Sequence, residues 1–374
     1  MSVLHCLTSC NRVYTCILQK QIHLLAASFY LLAASLTISL TGQAQEIKPW
    51  NRLYVTNEVS NTVSVVDLDQ SKVLATIPVG VAPTGMAITP DQERIYVANI
   101  RSANLSVVST ASNSVEATIP LPSWYGVASP FGIAMSPDGQ QLFVSNLSDG
   151  TVRVISTKTN TVVGTITEAY DWAMRYIAIS PSGEYLYVAG AGDGKLTAIR
   201  LADYKAVAKV TGLWGARHLV VSPDGSRVYV TSDSTSRLYV VDTAKAELIK
   251  TIQFPPGVGT TTVDISPTGK LAIVSNAYGN VSLIDTDPAS QTYHEVIGQV
   301  PPSSFYQYCV VLGSEGKFAY LSNQSDRGAS PNSINVIDIA QDSKTRNTII
   351  NSIPVGQKPW GVMPVRQRLP PANP

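Results

Sequence analysis

The sequence has few cysteines, few histidines and almost no net charge across its 374 residues. Three of the four cysteines lie in the first 44 residues, so the rest of the chain holds only Cys309 and cannot form an internal disulfide. Only His218 and His294 lie beyond residue 44, which excludes a multi-histidine metal site within one chain. Because no C-x-x-C-H haem-attachment sequence or other cofactor motif occurs, we expect neither a cofactor nor a metal.

Charge also limits the partners. The full chain has a formal charge of +1, and the first 44 residues carry two basic residues, Arg12 and Lys20, but no acidic one. Without them the chain has a charge of −1. A nearly neutral chain gives no electrostatic case for binding nucleic acid or an anionic membrane surface. We therefore expect no nucleic-acid partner, and no membrane contact beyond a retained N-terminal anchor.

The first 44 residues have the pattern of an export signal. Arg12 and Lys20 precede an apolar run of 17 residues from Leu24 to Leu40, and Gly42 and Ala44 then offer small residues at the −3 and −1 positions of a cleavage site. We predict a signal peptide over residues 1–44, cleaved near Ala44, and a periplasmic or cell-envelope location. An uncleaved membrane anchor is the alternative, although the run is slightly short for a span of about 20 residues.

A short apolar motif recurs seven times. Its tyrosine in R-L-Y-V-T-N, or the residue that replaces it, falls at positions 54, 96, 143, 187, 229, 273 and 320, at spacings between 42 and 47 residues. Each unit contains four strand-length apolar runs rich in β-branched residues. Turn sequences such as S-P-D-G at 136–139 and 222–225 separate these runs. Four strands at this period are typical of a β-propeller blade.

Two polar positions recur with the repeat and predict structural roles. An aspartate follows the second apolar run in several units and is expected to cap a turn: Asp67, Asp242, Asp285 and Asp338. The asparagines that end the Y-V-T-N motif recur in five of seven units, at Asn57, Asn99, Asn146, Asn276 and Asn323. Such repetition indicates capping of strand ends rather than catalysis.

The motifs Y-V-T-N at Tyr54–Asn57, V-V-D at Val65–Asp67 and S-P-D-G resemble the YVTN-repeat β-propeller family, which includes surface-layer and lactonase-like propellers. The resemblance covers roughly residues 51–366, although the last two repeats diverge and the sixth turn becomes G-S-E-G at 313–316. It implies an all-β, seven-bladed β-propeller of four-stranded antiparallel blades.

The end of the chain predicts how the propeller closes. Residues 358–363 match the innermost strands of other repeats, whereas the first repeat begins with its second strand. We therefore expect the C-terminal strand to join the N-terminal blade and remove the open sheet edges. Residues 45–366 would form a single domain, followed by a flexible proline-rich tail at 367–374.

Aromatic side chains concentrate on one predicted face. Four of the five tryptophans fall in connections from an outermost strand to the next innermost strand, which gather at the channel mouth. Tryptophan and tyrosine suit recognition surfaces, and guanidinium groups suit carboxylates. The alternative is that each aromatic residue fills the space between two blades. The candidate ligand-binding residues are Trp124, Tyr125, Asp171, Trp172, Arg175, Tyr176, Trp214, Arg217, His218, Tyr306, Gln307 and Trp360.

Nearby residues leave several functions open. Tyr308, Thr261 and Thr262 are expected at the same level of the channel, and Asp171 either contributes to a site or neutralises a nearby arginine. His218 lacks a nucleophile beside it in the sequence, so no catalytic residue is assigned. We expect a non-catalytic propeller that binds a protein, a glycan or a small anionic ligand. The alternatives are a lactonase-like hydrolase and a propeller subunit of a periplasmic dehydrogenase complex, both by resemblance in architecture.

Overall fold

The computed structural model describes residues 51–122, 128–168, 174–302, 306–324 and 332–365. These residues form 28 strands in seven four-stranded antiparallel sheets. Within each sheet the strands follow one another from the axis outward, and in the first sheet the innermost strand is the last strand of the chain. The predicted seven-bladed β-propeller is therefore confirmed, including the two divergent repeats.

The blades are numbered in chain order, and their strands are given from the axis outward. Blade 1 contains β28 (Pro359–Val365), β1 (Arg52–Asn57), β2 (Thr62–Asp67) and β3 (Lys72–Pro78), and blade 2 contains β4 (Pro83–Ile88), β5 (Arg94–Asn99), β6 (Asn104–Ser109) and β7 (Ser114–Pro120). Blade 3 contains β8 (Pro130–Met135), β9 (Gln141–Asn146), β10 (Thr151–Ser156) and β11 (Thr161–Ile166), and blade 4 contains β12 (Met174–Ile179), β13 (Tyr185–Gly190), β14 (Lys195–Arg200) and β15 (Lys205–Thr211). Blade 5 contains β16 (Ala216–Val221), β17 (Arg227–Ser232), β18 (Arg237–Asp242) and β19 (Glu247–Gln253), and blade 6 contains β20 (Thr260–Ile265), β21 (Leu271–Asn276), β22 (Val281–Asp285) and β23 (Val296–Val300). Blade 7 contains β24 (Tyr306–Leu312), β25 (Phe318–Gln324), β26 (Ser333–Asp338) and β27 (Thr348–Pro354).

The core lies between neighbouring blades. In blade 1, strands β1 and β2 are buried on both faces, because each blade packs face to face against the next. Tyr54 and Val65 of blade 1, for example, pack in one cluster with Ile95 and Val97 of blade 2. The outermost strand β3 instead alternates exposed and half-buried residues. This pattern explains why the inner repeats read as continuous apolar runs and the outermost ones do not.

The predicted turns form as expected. In the S-P-D-G turn of blade 3, the Ser136 hydroxyl donates to Asp138 Oδ1 at 2.6 Å, and Gly139 takes a φ of 71° that favours glycine. Asp67 Oδ1 accepts a hydrogen bond from the Gln70 amide at 2.7 Å, which is the predicted cap. Asn57 is buried and donates to the Ser64 hydroxyl at 2.9 Å, so this asparagine joins two strands of its blade.

The ring closes between β28 and β1. These strands pair antiparallel with Arg52 opposite Val365, Tyr54 opposite Met363 and Asn57 opposite Pro359. The C-terminal strand therefore supplies the innermost strand of blade 1, as the sequence predicted.

The predicted leader at 1–44 and tail at 367–374 lie outside the described residues and stay predictions. Within the part of the chain that the structure describes, no helix is long and apolar enough to span a bilayer.

Removal of residues 359–374 should abolish the cooperative thermal unfolding transition. The truncation takes away β28, exposes the inner edge of β1 and uncovers the core around Val55 and Tyr320. Circular dichroism during heating measures this effect. The matched control removes only residues 367–374 and should change the melting temperature by less than about 2 °C. A cooperative transition at the wild-type temperature after the longer truncation would contradict the role of β28.

Candidate functional site

The innermost strands of all seven blades meet around the axis in one register. In each strand one residue lies opposite the last residue of the Y-V-T-N motif or its equivalent, as Pro83 does with Asn99, Ala216 with Ser232 and Gln307 with Asn323, and positions are counted from that residue. The second residues in this count occupy equivalent places, at Thr84, Phe131, Arg175, Arg217, Thr261, Tyr308 and Trp360. The third residues do so at Gly85, Gly132, Tyr176, His218, Thr262, Cys309 and Gly361. Large side chains at these two levels point to the region where the blades converge.

Five rings from these two levels contact one another across the channel. We call Phe131, Tyr176, His218, Tyr308 and Trp360 the aromatic layer. Tyr176 packs edge-on against Phe131 and His218, with ring centroids 5.1 and 4.6 Å apart. Trp360 lies 3.7 Å from Tyr308 and 5.9 Å from Phe131, again between centroids. The Trp360 Nε1–H also donates to the Tyr176 hydroxyl at 3.3 Å, which joins blade 1 to blade 4.

Glycine at the third position lets the innermost strands approach closely. A Cβ on Gly361 would lie 2.8 Å from the Thr84 carbonyl oxygen, and one on Gly132 would collide with the Arg175 carbonyl. Side chains are therefore excluded from the third position in blades 1 and 3. The rings that fill the layer come from other blades or from the second position.

Arg217 is buried beside this layer and is already paired. Its Nη1 lies 2.9 Å from Asp233 Oδ2, its Nη2 donates to the Tyr308 hydroxyl, and its guanidinium carbon lies 4.7 Å from the Tyr308 ring centroid. The Nε atom is buried and has no partner among the described residues. Asp233, which the sequence analysis did not single out, neutralises this arginine, whereas Asp171 lies outside the described residues.

Exposed aromatic side chains lie on the same face as the layer. Trp214, in the connection before β16, is 60% exposed, and Tyr278, in the turn after β21, is 62% exposed. Tyr306 packs edge-on against Tyr278 at 5.3 Å and stacks 6.0 Å from Tyr308. We call Trp214, Tyr278 and Tyr306 the aromatic rim. The exposure of Trp214 shows that it does not fill the space between blades.

Two of the remaining predicted residues, Arg175 and Gln307, are described by the structure, and the others lie outside the described ranges. Arg175 is half-buried, and its carbonyl accepts a hydrogen bond from the Ser145 hydroxyl at 2.6 Å. Gln307 is fully buried, and its side-chain amide has no partner among the described residues. The predicted residues that lie outside the described ranges are Trp124, Tyr125, Asp171 and Trp172.

A buried ion pair holds the start of one mouth connection. Arg153 Nη2 lies 2.6 Å from Asp149 Oδ2, and both side chains are almost completely buried. The same guanidinium donates to the Pro122 carbonyl at 3.0 and 3.2 Å. This contact fixes the chain immediately before the segment that carries Trp124 and Tyr125. The sequence analysis did not single out Arg153, whose equivalent position varies between blades and carries an uncharged residue in each of the others: Ser64, Ser106, Thr197, Tyr239, Ser282 and Asn335.

A cavity of about 320 Å³ lies along the axis beneath the aromatic layer. Tyr176, His218 and Trp360 form its upper wall, and residues from all seven innermost strands complete it. Asp264 is the only carboxylate among the residues that line it. No group of three histidine, cysteine, aspartate or glutamate side chains comes together as a metal site in the described ranges.

More than half of the chain matches one protein-family model. The model described as "Lactonase, 7-bladed beta-propeller" matches residues 70–296, which is more than half of the chain. The chain belongs to this lactonase-type propeller family. A comparison with curated proteins gives no match.

Solved structures agree with this lactonase-type fold. Kuenenia stuttgartiensis hydrazine synthase superposes with a TM-score of 0.66 at 22% identity, covering 80% of this chain and 99% of that one. A functionally unknown protein from Desulfotomaculum acetoxidans DSM 771 superposes with a TM-score of 0.72 at 16% identity, covering 85% and 100%. At these identities the likeness shows the fold alone.

Burial keeps most ionisable groups of this lactonase-type channel neutral. It raises the pKa of Tyr176 and of Cys309 to about 12. Burial, together with the charge of Arg217, lowers the pKa of His218 to about 3. His218 Nδ1 accepts a hydrogen bond from the Val263 amide at 3.4 Å, so its proton is on Nε2. His218 is thus uncharged near neutral pH.

Asp264 differs from these groups because it ionises near neutral pH. Burial raises its pKa from 3.8 to about 6, while hydrogen bonds from the Leu312 and Ile265 amides act in the opposite direction. The distances from these amide nitrogens to the carboxylate oxygens are 2.7 and 2.9 Å.

Truncation of Tyr308 should destabilise the protein strongly. Tyr308→Ala removes a buried ring that contacts Trp360 and leaves Arg217 without its hydroxyl partner. We expect a loss of about 3 kcal/mol or more in the free energy of unfolding, measured by denaturant titration. The control Trp214→Ala should change it by less than about 0.5 kcal/mol, because Trp214 is exposed. Equal losses of unfolding free energy in the two variants would contradict the stabilising role of Tyr308 in the aromatic layer.

The stability of Asp264→Ala relative to the wild type should increase as pH rises from 4 to 7. The folded-state pKa of Asp264, about 6, lies above the ordinary value of 3.8, so folding disfavours ionisation. The wild type therefore loses stability as pH rises through 6, whereas the variant does not. Melting temperatures of both proteins across this range measure the difference, which should reach a few degrees. Titration of the histidines contributes equally to both proteins, because both contain them, and so does not affect the difference. A difference in melting temperature that does not change with pH would contradict the raised pKa of Asp264.

Proposed function

We propose that this protein is an exported, non-catalytic binding propeller that holds a macromolecular partner, most simply a protein, on its mouth face. The observation that carries the proposal is the aromatic rim, where Trp214 and Tyr278 are more than half exposed. Large aromatic side chains are costly to leave in water and are enriched at the energetic centres of protein interfaces. The export signal predicted at residues 1–44 supports a location in the periplasm or cell envelope.

The arrangement of the rim favours an extended partner over a small ligand. Trp214 lies in the connection before blade 5, Tyr278 in a turn of blade 6 and Tyr306 at the start of β24 in blade 7, so a partner that contacts all three covers three blades. Tyr306 is supported from below by Tyr308, which gives the rim a rigid base. The charge of Arg217 is already balanced by Asp233, and this pairing disfavours a small anion at the mouth.

The chemistry of the channel supports a non-catalytic role. A general base must present an unprotonated atom to its substrate. In His218 the unprotonated Nδ1 is occupied by the Val263 amide, and Nε2 carries the proton. The Cys309 thiol, which lines the same cavity, stays protonated because burial raises its pKa to about 12. These groups can bind a ligand by hydrogen bonds but are poorly arranged to activate water.

Membership of the lactonase-type family favours a second candidate, lactone hydrolysis in the channel. Asp264 is the residue that could act as a base there, because it is mostly ionised at pH 7 and lines the cavity. A role as a propeller subunit of a periplasmic dehydrogenase complex stays a prediction from resemblance.

The Trp214→Ala, Tyr278→Ala double variant should lose at least tenfold in affinity for its envelope partner, since truncation of an aromatic residue at the energetic centre of an interface costs over 1 kcal/mol. Immobilised wild-type and variant proteins are compared for proteins retained from an envelope extract, and the retained species is then titrated in purified form. The matched control is Val163→Ala, which removes a 57% exposed apolar residue from the outermost strand β11.

The outcomes separate the candidates. Loss of binding in the double variant but not in the control supports the protein-binding role, provided that the melting temperature is unchanged. If the wild type retains a purified glycan and no protein, the partner is a glycan and the proposed protein partner is wrong. Turnover of lactones by the wild type that disappears in Asp264→Ala would replace the binding role by hydrolysis.

A further inference from the structure

We propose that the axial cavity beneath the aromatic layer is a second binding site, which takes a small organic cation with an ammonium group on an apolar body and Asp264 as its counter-ion. This site is separate from the aromatic rim and does not depend on the function proposed for the mouth.

Asp264 is a departure from the repeat. It occupies the fifth position of the innermost strand of blade 6. The same position is apolar in every other blade, at Ala87, Ala134, Ala178, Val220, Val311 and Met363. Three blades thus build this level of the channel with alanine, so the fold itself does not require a carboxylate there.

Among the residues that the structure describes, no lysine or arginine pairs with the carboxylate of Asp264. Its two oxygens accept one hydrogen bond each, from the Ile265 and Leu312 amides. A carboxylate has acceptor capacity for about four hydrogen bonds, so capacity remains on the side of the cavity. No lysine or arginine is among the residues that line the cavity. A cation in the cavity would therefore offset the cost of keeping this charge away from water.

The other titratable groups that face the cavity do not compete for this role. They are Tyr176 on β12, His218 on β16 and Cys309 on β24. Burial leaves the tyrosine and the thiol protonated and the imidazole uncharged near pH 7, because the pKa values of the first two are raised and that of His218 is lowered. Asp264 is thus the group whose charge changes in the physiological range.

The walls select an organic cation over a metal ion. Tyr176 and Trp360 present aromatic rings at the upper end, which attract cations through their faces. Met86, Ile133 and Val311 are among the apolar side walls. Calcium and magnesium need about six oxygen ligands, and the lining offers far fewer. An apolar cavity of about 150 Å³ is enough for benzene, so about 320 Å³ accommodates an amine with one ring.

Entry is expected from the face opposite the rim. Tyr176, His218 and Trp360 line the upper end of the cavity, and Asp264, Met363 and Pro364, farther along their strands, line its other end and are partly exposed there. A ligand that enters from this side meets the carboxylate before it reaches the rings. The aromatic layer thus lies between the cavity and the mouth.

The test measures binding of three ligands of similar shape to the purified full-length protein by calorimetry at pH 7.5. Benzylamine carries a positive charge, benzyl alcohol is neutral and benzoate is negative. We expect benzylamine to bind at least tenfold more tightly than the other two. Lowering the pH to 5 should weaken benzylamine binding about tenfold, because Asp264 becomes protonated below its pKa of about 6.

Three variants make the assignment to the cavity. Asp264→Ala restores the residue found in sister blades and should abolish the preference for benzylamine over benzyl alcohol. Val311→Phe fills the cavity, keeps the carboxylate and should abolish binding of benzylamine. Asp203→Ala removes an exposed acid that pairs with Arg200 at 2.7 Å and should bind as the wild type does.

The proposal fails if benzylamine does not bind, if benzyl alcohol binds as tightly, or if Asp264→Ala keeps the preference for the charged ligand. It also fails if Val311→Phe binds as the wild type does, since the amine would then lie elsewhere. If Asp264→Ala does not fold, the proposal is tested by benzylamine binding to Val311→Phe and by the pH dependence of benzylamine binding to the wild type. Trp214→Ala should keep full amine binding, so loss of mouth binding and loss of this site are distinguishable.

Discussion

The antiparallel pairing of β28 with β1 is the interaction on which the rest of the molecule depends. It completes blade 1 from the two ends of the described chain and leaves no inner sheet edge open. It also carries Trp360 to the axis, where this residue stacks on Tyr308 of blade 7 and donates a hydrogen bond to Tyr176 of blade 4. Closure of the ring and closure of the channel are therefore achieved by the same strand.

The architecture was predictable because it is encoded locally and repeatedly. The repeat consists of a strand every 42 to 47 residues, with tyrosine at its third position in five of seven copies, a turn before it, which reads S-P-D-G in two copies, and in several copies an aspartate cap after the next strand. The turn and the cap form through neighbours in sequence. The C-terminal strand could be placed by the same logic, because Lys358 to Met363 repeats the innermost-strand pattern. Even the turn that became G-S-E-G keeps a glycine, Gly316, at positive φ.

The site was predictable in location but not in its contacts. The sequence placed Tyr176, Arg217, His218 and Trp360 at the channel, and the described structure has them there. It could not show which of them meet, because contacts such as Arg217 with Tyr308 join different blades through the register of the ring. Phe131 was missed although it occupies the same strand position as Arg217, and its aromatic signal lay outside the loops.

Departures from the repeat carry the functional information in this fold. A residue that recurs in most blades, such as the asparagine after Y-V-T, is explained by hydrogen bonds within its own blade. Tyr278 and Asp264 are not explained in this way, since no other blade has an aromatic residue two positions after its Y-V-T-N motif and every other blade has an apolar residue in place of Asp264. Both place a chemically demanding group where the fold tolerates a simpler one: an aromatic ring in water and a carboxylate in an apolar cavity. They lie on opposite sides of the aromatic layer, so that layer divides one axial channel into an aromatic surface for a large partner and an acidic cavity for a small one.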